Sequence, residues 1–523
     1  MRASIVIVGA GPVGLMLACE LALAGVDTVV IERLAHPSGQ SRALGFNTRT
    51  AELLEQRGLL GGLLEHGTLW NKAHFAGIPL DLTLIPGRHP YAVMIPQARV
   101  ESRLEERAAE LGTDIRRGHE LASLEQDDSG VVVGVRTATE TYSLHCDYLV
   151  GCDGGSSAVR KLAGIEFPGT GPTLSALLAD VDSYEADIEI RTPLAYPNGL
   201  FGVAPVEPGV FRVSSIEYGV SPPERGTPVT LEELRESISR VTDMSVKVGR
   251  PIWLSRFNDA TRLAAQYRHK RVLLAGDAAH IHFPISGQGM SLGIADAVNL
   301  GWKLAAEVQG WAPLSLLDTY HSERHPVGRQ VCMNTQAQTA LTFPLDRVPP
   351  LREMFTNMVR FEDAHRYLVE VVSGLDVCYP MESGQSSNRE PLRAEGHSLL
   401  GRRMPDLELI TNSGKTTTIG ASLHSGRGVI FDLTGGSTDL PEWSGWRDRV
   451  DFISSKSCTA FDASSVLVRP DGHVAWVSDS RDPEGDRERF QVAISAWFGK
   501  PSECQAPEFP CEMQNVSVSR VVN

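Results

Sequence analysis

Gly9-Ala10-Gly11-Pro12-Val13-Gly14 stands directly after a short β-branched apolar run, Ser4 to Val8. It opens a segment, Pro12 to Leu23, whose apolar residues fall at helical spacing and which Gly25 stops. A second apolar strand, Thr28 to Ile31, follows. Strand, glycine turn, helix and strand within about 30 residues form a βαβ unit, which implies a parallel sheet. Each glycine has a task at such a turn. Gly9 permits the tight bend, Gly11 lets backbone approach a pyrophosphate, and Gly14 allows close packing of helix on strand. The helix N-terminus, starting at Pro12, then offers free amides and a positive dipole end to phosphate. Glu32 closes the second strand 18 residues after Gly14, near the spacing of about 20 expected of a carboxylate that holds a ribose hydroxyl. An acid there favours an unphosphorylated adenosine ribose, as in FAD or NAD.

A second motif separates these cofactors. Arg271-Val272-Leu273-Leu274-Ala275-Gly276-Asp277-Ala278-Ala279-His280 is an apolar strand ending in Gly-Asp, some 260 residues downstream. A strand that delivers a carboxylate to the ligand crevice suits the ribityl hydroxyls of FAD, and Asp277 is so placed; Asp277 as a helix cap is the plainer alternative. Next, Pro284-Ile285-Ser286-Gly287-Gln288-Gly289-Met290 opens a long helix with glycines at 287 and 289, so that amides can approach a planar ring and stabilise negative charge on a reduced flavin. His280 and His282 lie two apart, as on one strand face, but no third metal ligand is recognisable, and no metal is expected.

The chain has 523 residues, enough for two or three domains, and 42% hydrophobic residues to build their cores. A net charge of −15 argues against a nucleic-acid partner, since phosphate binding draws on a Lys/Arg excess. Eight cysteines without a CxxC pair indicate reduced, cytoplasmic usage, with Cys504 and Cys511 read as unpaired thiols. Glu20 and the three glycines exclude a signal peptide at the start, and no apolar run is long enough to span a membrane. The pattern divides into residues 1–175 and 268–390 as a cofactor-binding domain, 176–267 as an inserted sheet-rich domain, and 395–500 as a small α/β domain. A polar linker, Glu382 to Arg389, precedes the last of these, and 501–523 reads as a disordered tail.

Taken together, these segments resemble the class A flavoprotein monooxygenases with the p-hydroxybenzoate hydroxylase fold. Gly151-Cys152-Asp153-Gly154-Gly155-Ser156-Ser157-Ala158-Val159-Arg160 looks like that family's Asp-Gly motif. The match is closer still to the branch acting on aromatic polyketides, the angucycline hydroxylases in particular. It extends through Ser41-Arg42-Ala43-Leu44-Gly45-Phe46, Pro96-Gln97, Asp296-Ala297-Val298-Asn299-Leu300-Gly301-Trp302-Lys303-Leu304, Tyr320 to His325, and Val468 to Trp476. The resemblance implies an α/β protein: a Rossmann-type FAD-binding domain, an inserted sheet-rich substrate domain, and a C-terminal thioredoxin-like domain that is redox-inactive, in agreement with the solitary Cys458. It also implies that Glu32 and Arg33 bind the adenosine half, that Arg42 and Gln97 approach pyrophosphate and ribityl, and that Asp153 and Asp277 hold the ribityl and phosphate region. Read from the residues alone, Arg42 is equally a surface charge and Gln97 a strand-end amide. Three departures stand out: Ser286 and Ser291 occupy positions where the family usually has Gly and Asn, and Ala295 one where Gln is common.

The reaction that the resemblance implies is hydroxylation of a polycyclic aromatic polyketide by a flavin C4a-hydroperoxide, with NADPH or NADH as electron donor and O2 as co-substrate. Baeyer-Villiger insertion, oxidative ring cleavage and a flavin-binding protein that no longer oxygenates remain open, as does a homodimer. The substrate pocket is expected between the inserted sheet and the flavin, touched by Leu200, Val203, Phe211, Val213 and Pro284. No catalytic side chain is assigned.

Overall fold

In the computed structural model the described residues are 1–185, 194–224, 226–244, 246–343, 348–381, 397–436, 442–457, 463–478 and 483–502. The linker Glu382 to Arg389, Cys458, Cys504, Cys511 and the tail from 503 onward lie outside them. Pro501 and Ser502 still belong to the folded part: the Ser502 amide donates to the Gly445 carbonyl and Arg449 donates to the Ser502 hydroxyl.

The chain opens with strand β1 (Arg2–Val8), helix α1 (Pro12–Leu23) and strand β2 (Thr28–Glu32). Helix α2 (Gln97–Glu110) leads to β3 (Asp114–Arg117), and β4 (Val131–Arg136) hairpins onto β5 (Thr141–Gly151). Strand β5 is continuous over 11 residues, and its last four are buried where it pairs with β1. An inserted antiparallel sheet contains β6 (Ser175–Val181), β7 (Gly199–Glu207) and β8 (Val210–Glu217), then helix α3 (Leu231–Thr242) and β9 (Pro251–Asn258). The first sheet resumes with β10 (Val272–Leu274), followed by α4 (Gln288–Gln309) and α5 (Thr319–Ala340). A third sheet includes β11 (Gly428–Asp432), β12 (Val450–Ser457), β13 (Ser465–Val468) and β14 (Val474–Val477), and helix α6 (Pro483–Phe498) covers it.

The spatial order β10-β5-β1-β2-β3 is parallel throughout. Helices must then return on the faces of the sheet, and its central strands are buried on both sides. Ile5, Ile7, Val30, Leu149 and Leu273 are all solvent-inaccessible and pack with Leu15 and Leu17 of α1 and Leu300 and Leu304 of α4 in one core. Among the described residues no helix is long and apolar enough to cross a membrane.

Candidate functional site

In a parallel sheet every strand ends on the same edge, and ligands bind in the crevice outside that edge. Here four neighbouring strands end in register: Val8 lies beside Ile31 and Gly151, and Gly151 beside Leu274. The ladder continues one step past the strands, through Gly9 N–H to the Ile31 carbonyl (2.8 Å), Cys152 N–H to Val8 (2.8 Å) and Ala275 N–H to Gly151 (3.0 Å). Motifs as much as 268 residues apart, from Gly9 to Asp277, thus converge on one edge with Glu32 and Asp153 between them.

At that edge Gly9 has φ 107°, and a Cβ on Gly14 would lie 1.9 Å from the Gly9 carbonyl oxygen. Helix and turn are therefore in direct backbone contact. A Cβ on Gly11 would meet no protein atom within 4 Å, so the face above that turn is open. Helix α1 starts there with Pro12 in its first turn and no acidic side chain to oppose its dipole. Glu32 is fixed by two amides, Ala10 N–H to Oε2 and Leu34 N–H to Oε1, both 2.9 Å, and each oxygen keeps a lone pair for a further donor. Arg33 and Arg42 are exposed, and their guanidinium groups have no ion-pair partner among the described residues.

Gln97 opens helix α2 rather than ending a strand. Its Oε1 accepts from Ala43 N–H (3.1 Å), while its own N–H donates to the Ala43 carbonyl (3.0 Å). From the other side, Arg212 of β8 donates to the carbonyls of Ser41 and Arg42 and pairs in bidentate fashion with Asp180. The loop bearing Arg42 is held between the first and second sheets.

Asp153 has a local task as well: its Oδ2 accepts from Ala158 N–H (2.6 Å) and Val159 N–H (3.1 Å), while Oδ1 is enclosed with no partner among the described residues. Arg160, in the same motif, donates to the Ala278 carbonyl (2.7 Å) and to the Gly155 carbonyl (3.0 Å), joining the Asp153-Gly154 motif to the Gly276-Asp277 motif. Asp277 sits in the short 3-10 turn Gly276–Ala278, is exposed and caps nothing among the described residues.

The residue that holds this turn received no role from the sequence. Asp296 of α4, fully buried, accepts from Gly276 N–H (3.1 Å), His280 Nε2 (2.8 Å) and Arg324 Nε (2.7 Å). Burial opposes its charge, yet Arg324 and His280 keep its carboxyl below the usual range. His280 is engaged here, and His282 Nδ1 bonds the Phe283 carbonyl (3.0 Å). The signal was available: Asp296, Asn299 and Lys303 are polar residues at i, i+3 and i+7 on an otherwise apolar helix face, a pattern that demands buried partners.

The loop entering α4 turns through two left-handed residues, Ser286 (φ 60°) and Gly287 (φ 63°). A Cβ on Gly287 would meet nothing within 4 Å, and one on Gly289 only the His282 ring at 3.8 Å. Pro284 is exposed, whereas Gln288 and Met290 are buried. Ser286 bears the conformation that glycine takes without strain, and its hydroxyl reaches Gln338 Oε1 (2.7 Å) and the His74 carbonyl (3.0 Å). Ser291 Oγ accepts from Asn47 N–H (3.3 Å).

The second sheet divides the residues expected at the substrate wall. Val203 and Val213 point into the core under α3 with Phe201 and Leu234, and Phe211 packs at its margin. Leu200 lies in a different cluster, with Ala176, Ile216, Tyr218, Phe257, Phe283, Ile285 and Phe343. The period-two alternation of a strand puts residues 200 and 203 on opposite faces, which corrects the expectation of a shared wall. Aromatic rings dominate the Leu200 cluster: Tyr218 meets Phe343 edge-on at 5.1 Å, and Phe257 lies 5.7 Å from Phe283. Phe283 and Ile285 flank Pro284, so this cluster abuts the loop into α4.

Residues 2–335 match the FAD binding domain family, and residues 397–501 match the aromatic-ring hydroxylase, C-terminal family. The chain belongs to the FAD-dependent aromatic-ring hydroxylases. It is a monooxygenase with FAD as cofactor and a reduced nicotinamide as electron donor. Among solved structures it is similar to the OxyS anhydrotetracycline hydroxylase from Streptomyces rimosus, at 43% identity and TM-score 0.86 over 96% of this chain and 100% of that one. CabE, an aromatic hydroxylase from angucycline biosynthesis, gives 40% identity and TM-score 0.85, again over 96% of this chain and 100% of the other. The dialkyldecalin synthase of Streptomyces rugosporus is 42% identical over 95% of this chain and 99% of its own length. For an aromatic-ring hydroxylase this crevice fits the cofactor: an open glycine turn at a helix start, two arginines without an ion-pair partner among the described residues, a half-buried Glu32 carboxylate at one flank and an exposed Asp277 carboxylate at the other.

Proposed function

We propose that this enzyme hydroxylates a polycyclic aromatic polyketide of the angucycline or tetracycline kind in secondary metabolism, using O2 and working in the cytoplasm. The observation that carries this reading is the aromatic cluster of Tyr218, Phe257, Phe283 and Phe343 against the loop Pro284-Ile285-Ser286-Gly287. A wall of rings suits a planar, electron-rich substrate. The Tyr218 hydroxyl is buried with no partner among the described residues, and burial pushes its pKa up to about 12, so it stays neutral and offers a hydrogen bond to a phenol or quinone oxygen.

On this reading Gly11 and the first turn of α1 take the pyrophosphate together with Arg42. Glu32 and Arg33 hold the adenosine, Asp153, Asp277 and Gln97 support the ribityl and phosphate region, and the backbone of Gly287, Gln288, Gly289 and Met290 faces the flavin ring beside Pro284. Bound FAD supplies the chemistry of nicotinamide oxidation and O2 activation. The protein binds and orients the substrate and, through the Phe283 and Phe343 rings, excludes water from the reacting face.

One experiment tests the proposal. Flavin-loaded protein is incubated with candidate polycyclic phenols, reduced nicotinamide and labelled O2. Accelerated nicotinamide consumption with one labelled oxygen as a new C–OH is expected. A lactone or ring-opened product would replace hydroxylation by the related oxygenations, and product without label would overturn the proposal.

A further inference from the structure

Where the third sheet meets α4 and α5, the structure buries a set of charges that the flavin site does not explain. Arg469 and Lys303 are solvent-inaccessible, and Asn299, Glu323 and Asp471 nearly so. Glu323 accepts from Lys303 Nζ (2.7 Å), from Asn299 Nδ2 (2.7 Å) and from two guanidinium nitrogens of Arg469 (2.7 and 2.8 Å). Asn299 Nδ2 also donates to Asp471 Oδ2 (3.0 Å), and Asp471 pairs with Arg469. Arg469 and Asp471 come from the tight turn between β13 and β14, and Arg49 and Arg57 of the N-terminal region grip the same turn through the carbonyls of Asp471 and Pro470, both 2.8 Å.

A buried quartet of two cations and two anions is balanced, and removing one member leaves an uncompensated charge. Its position along the helices gives it a further consequence. On α5 the neighbours Glu323 and Arg324 face two ways: Glu323 grips the C-terminal turn, while Arg324 grips Asp296 (2.7 Å), the Leu292 carbonyl (3.2 Å) and the Tyr379 hydroxyl (2.9 Å). On α4, Asn299 and Lys303 follow Asp296 by one and two turns. Asp296 in turn holds Gly276 N–H and His280, and so the turn bearing Asp277.

We propose that the C-terminal region is a working part of the cofactor site: its Arg469–Asp471 pair seats α4 and α5, and Asp471 is thereby a positioning residue for the Gly276–Asp277 turn. The proposal rests on the reading of Asp277 given above. Asp471 touches neither the crevice nor the aromatic cluster, and the flavin site loses geometry when the quartet loses balance.

The test is a coupling measurement on the whole enzyme, with FAD affinity determined well below the unfolding temperature. Asp471→Asn leaves Glu323 facing two cations; the FAD dissociation constant is expected to rise by about tenfold or more with the far-UV spectrum unchanged. Adding Lys303→Met in the same chain restores the balance and is expected to bring the constant back to within about threefold of wild type. Purely structural support lowers the melting temperature without that recovery. Wild-type FAD affinity in the folded Asp471→Asn protein, or no recovery in the double variant, overturns the proposal. Should Asp471→Asn not fold, Asn299→Ala removes the bridge without a net charge: a weaker FAD complex is expected, and unchanged affinity overturns. Asp277→Ala measured alongside keeps the two claims apart. Unchanged affinity there removes the Asp277 assignment, whereas a loss there beside wild-type affinity in Asp471→Asn removes the coupling alone.

Discussion

Gly11 and Gly14 belong to one motif and carry opposite kinds of constraint. A methyl at Gly14 would collide with the Gly9 carbonyl, while a methyl at Gly11 would enter open space above the helix start. Gly14→Ala is therefore expected to fail in folding, seen as loss of soluble protein. Gly11→Ala is expected to fold with an unchanged apoprotein melting temperature but to bind FAD at least about tenfold more weakly, because the added methyl stands where backbone approaches pyrophosphate. Equal FAD affinity in a folded Gly11→Ala protein would remove the phosphate from that turn. At this scale the sequence was highly legible, since the fingerprint, Glu32 and the Gly-Asp motif are local patterns. Asp296 was legible only in part: the polar stripe it forms with Asn299 and Lys303 asks for buried partners, but those partners are distant in sequence and the pattern does not name them.

The elements show how far periodicity reaches. Amphipathic α3 and the hairpin of β7 and β8 follow from alternation and capping, with Thr230 accepting from Glu233 N–H at the start of the helix. Alternation also implies two faces, but not which of them turns toward the cofactor. Val203 went to the α3 core and Leu200 to the aromatic cluster because α3 is amphipathic and must cover one face of the sheet. Val203→Ala is accordingly expected to cost about 2 kcal/mol of stability, read from denaturant midpoints, with little change in KM for the aromatic substrate. Leu200→Ala is expected to show the reverse, a raised KM at nearly unchanged stability. A KM change confined to Val203→Ala would put the substrate on the other face.

Across the whole molecule, the joint between the third sheet and the rest carries a pH dependence. Burial holds the His473 imidazole at about 3, far below its ordinary 6.5, so the folded protein keeps it neutral while the unfolded chain takes up a proton. Its contribution to stability is complete above pH 6.5 and is lost progressively as the pH falls toward about 3. Glu323 acts in the same direction over a lower interval: burial opposes its charge, but Arg469 and Lys303 hold it at about 2, so its contribution fades below pH 4.5. Stability is expected to fall by up to about 1.4 kcal/mol per pH unit from the histidine alone as pH drops below 6.5. The check is the unfolding free energy against pH for wild type and His473→Gln; parallel curves between pH 6.5 and 4.5 would exclude His473 as the source.

The glycine fingerprint with its flanking strands determined the parallel sheet and the dinucleotide-type crevice, because close backbone approach and hydrophobic period are properties of neighbouring residues. The Gly-Asp strand added the flavin. What only the tertiary structure decided is non-local: which sheet face α3 covers and which abuts the loop into α4, and that the same two helices carry two buried ionic systems, Asp296 with Arg324 and, beside it, Glu323, Asn299, Lys303, Arg469 and Asp471. Buried charges are tolerated only beside their partners, and those partners come from segments that meet only once the chain has folded.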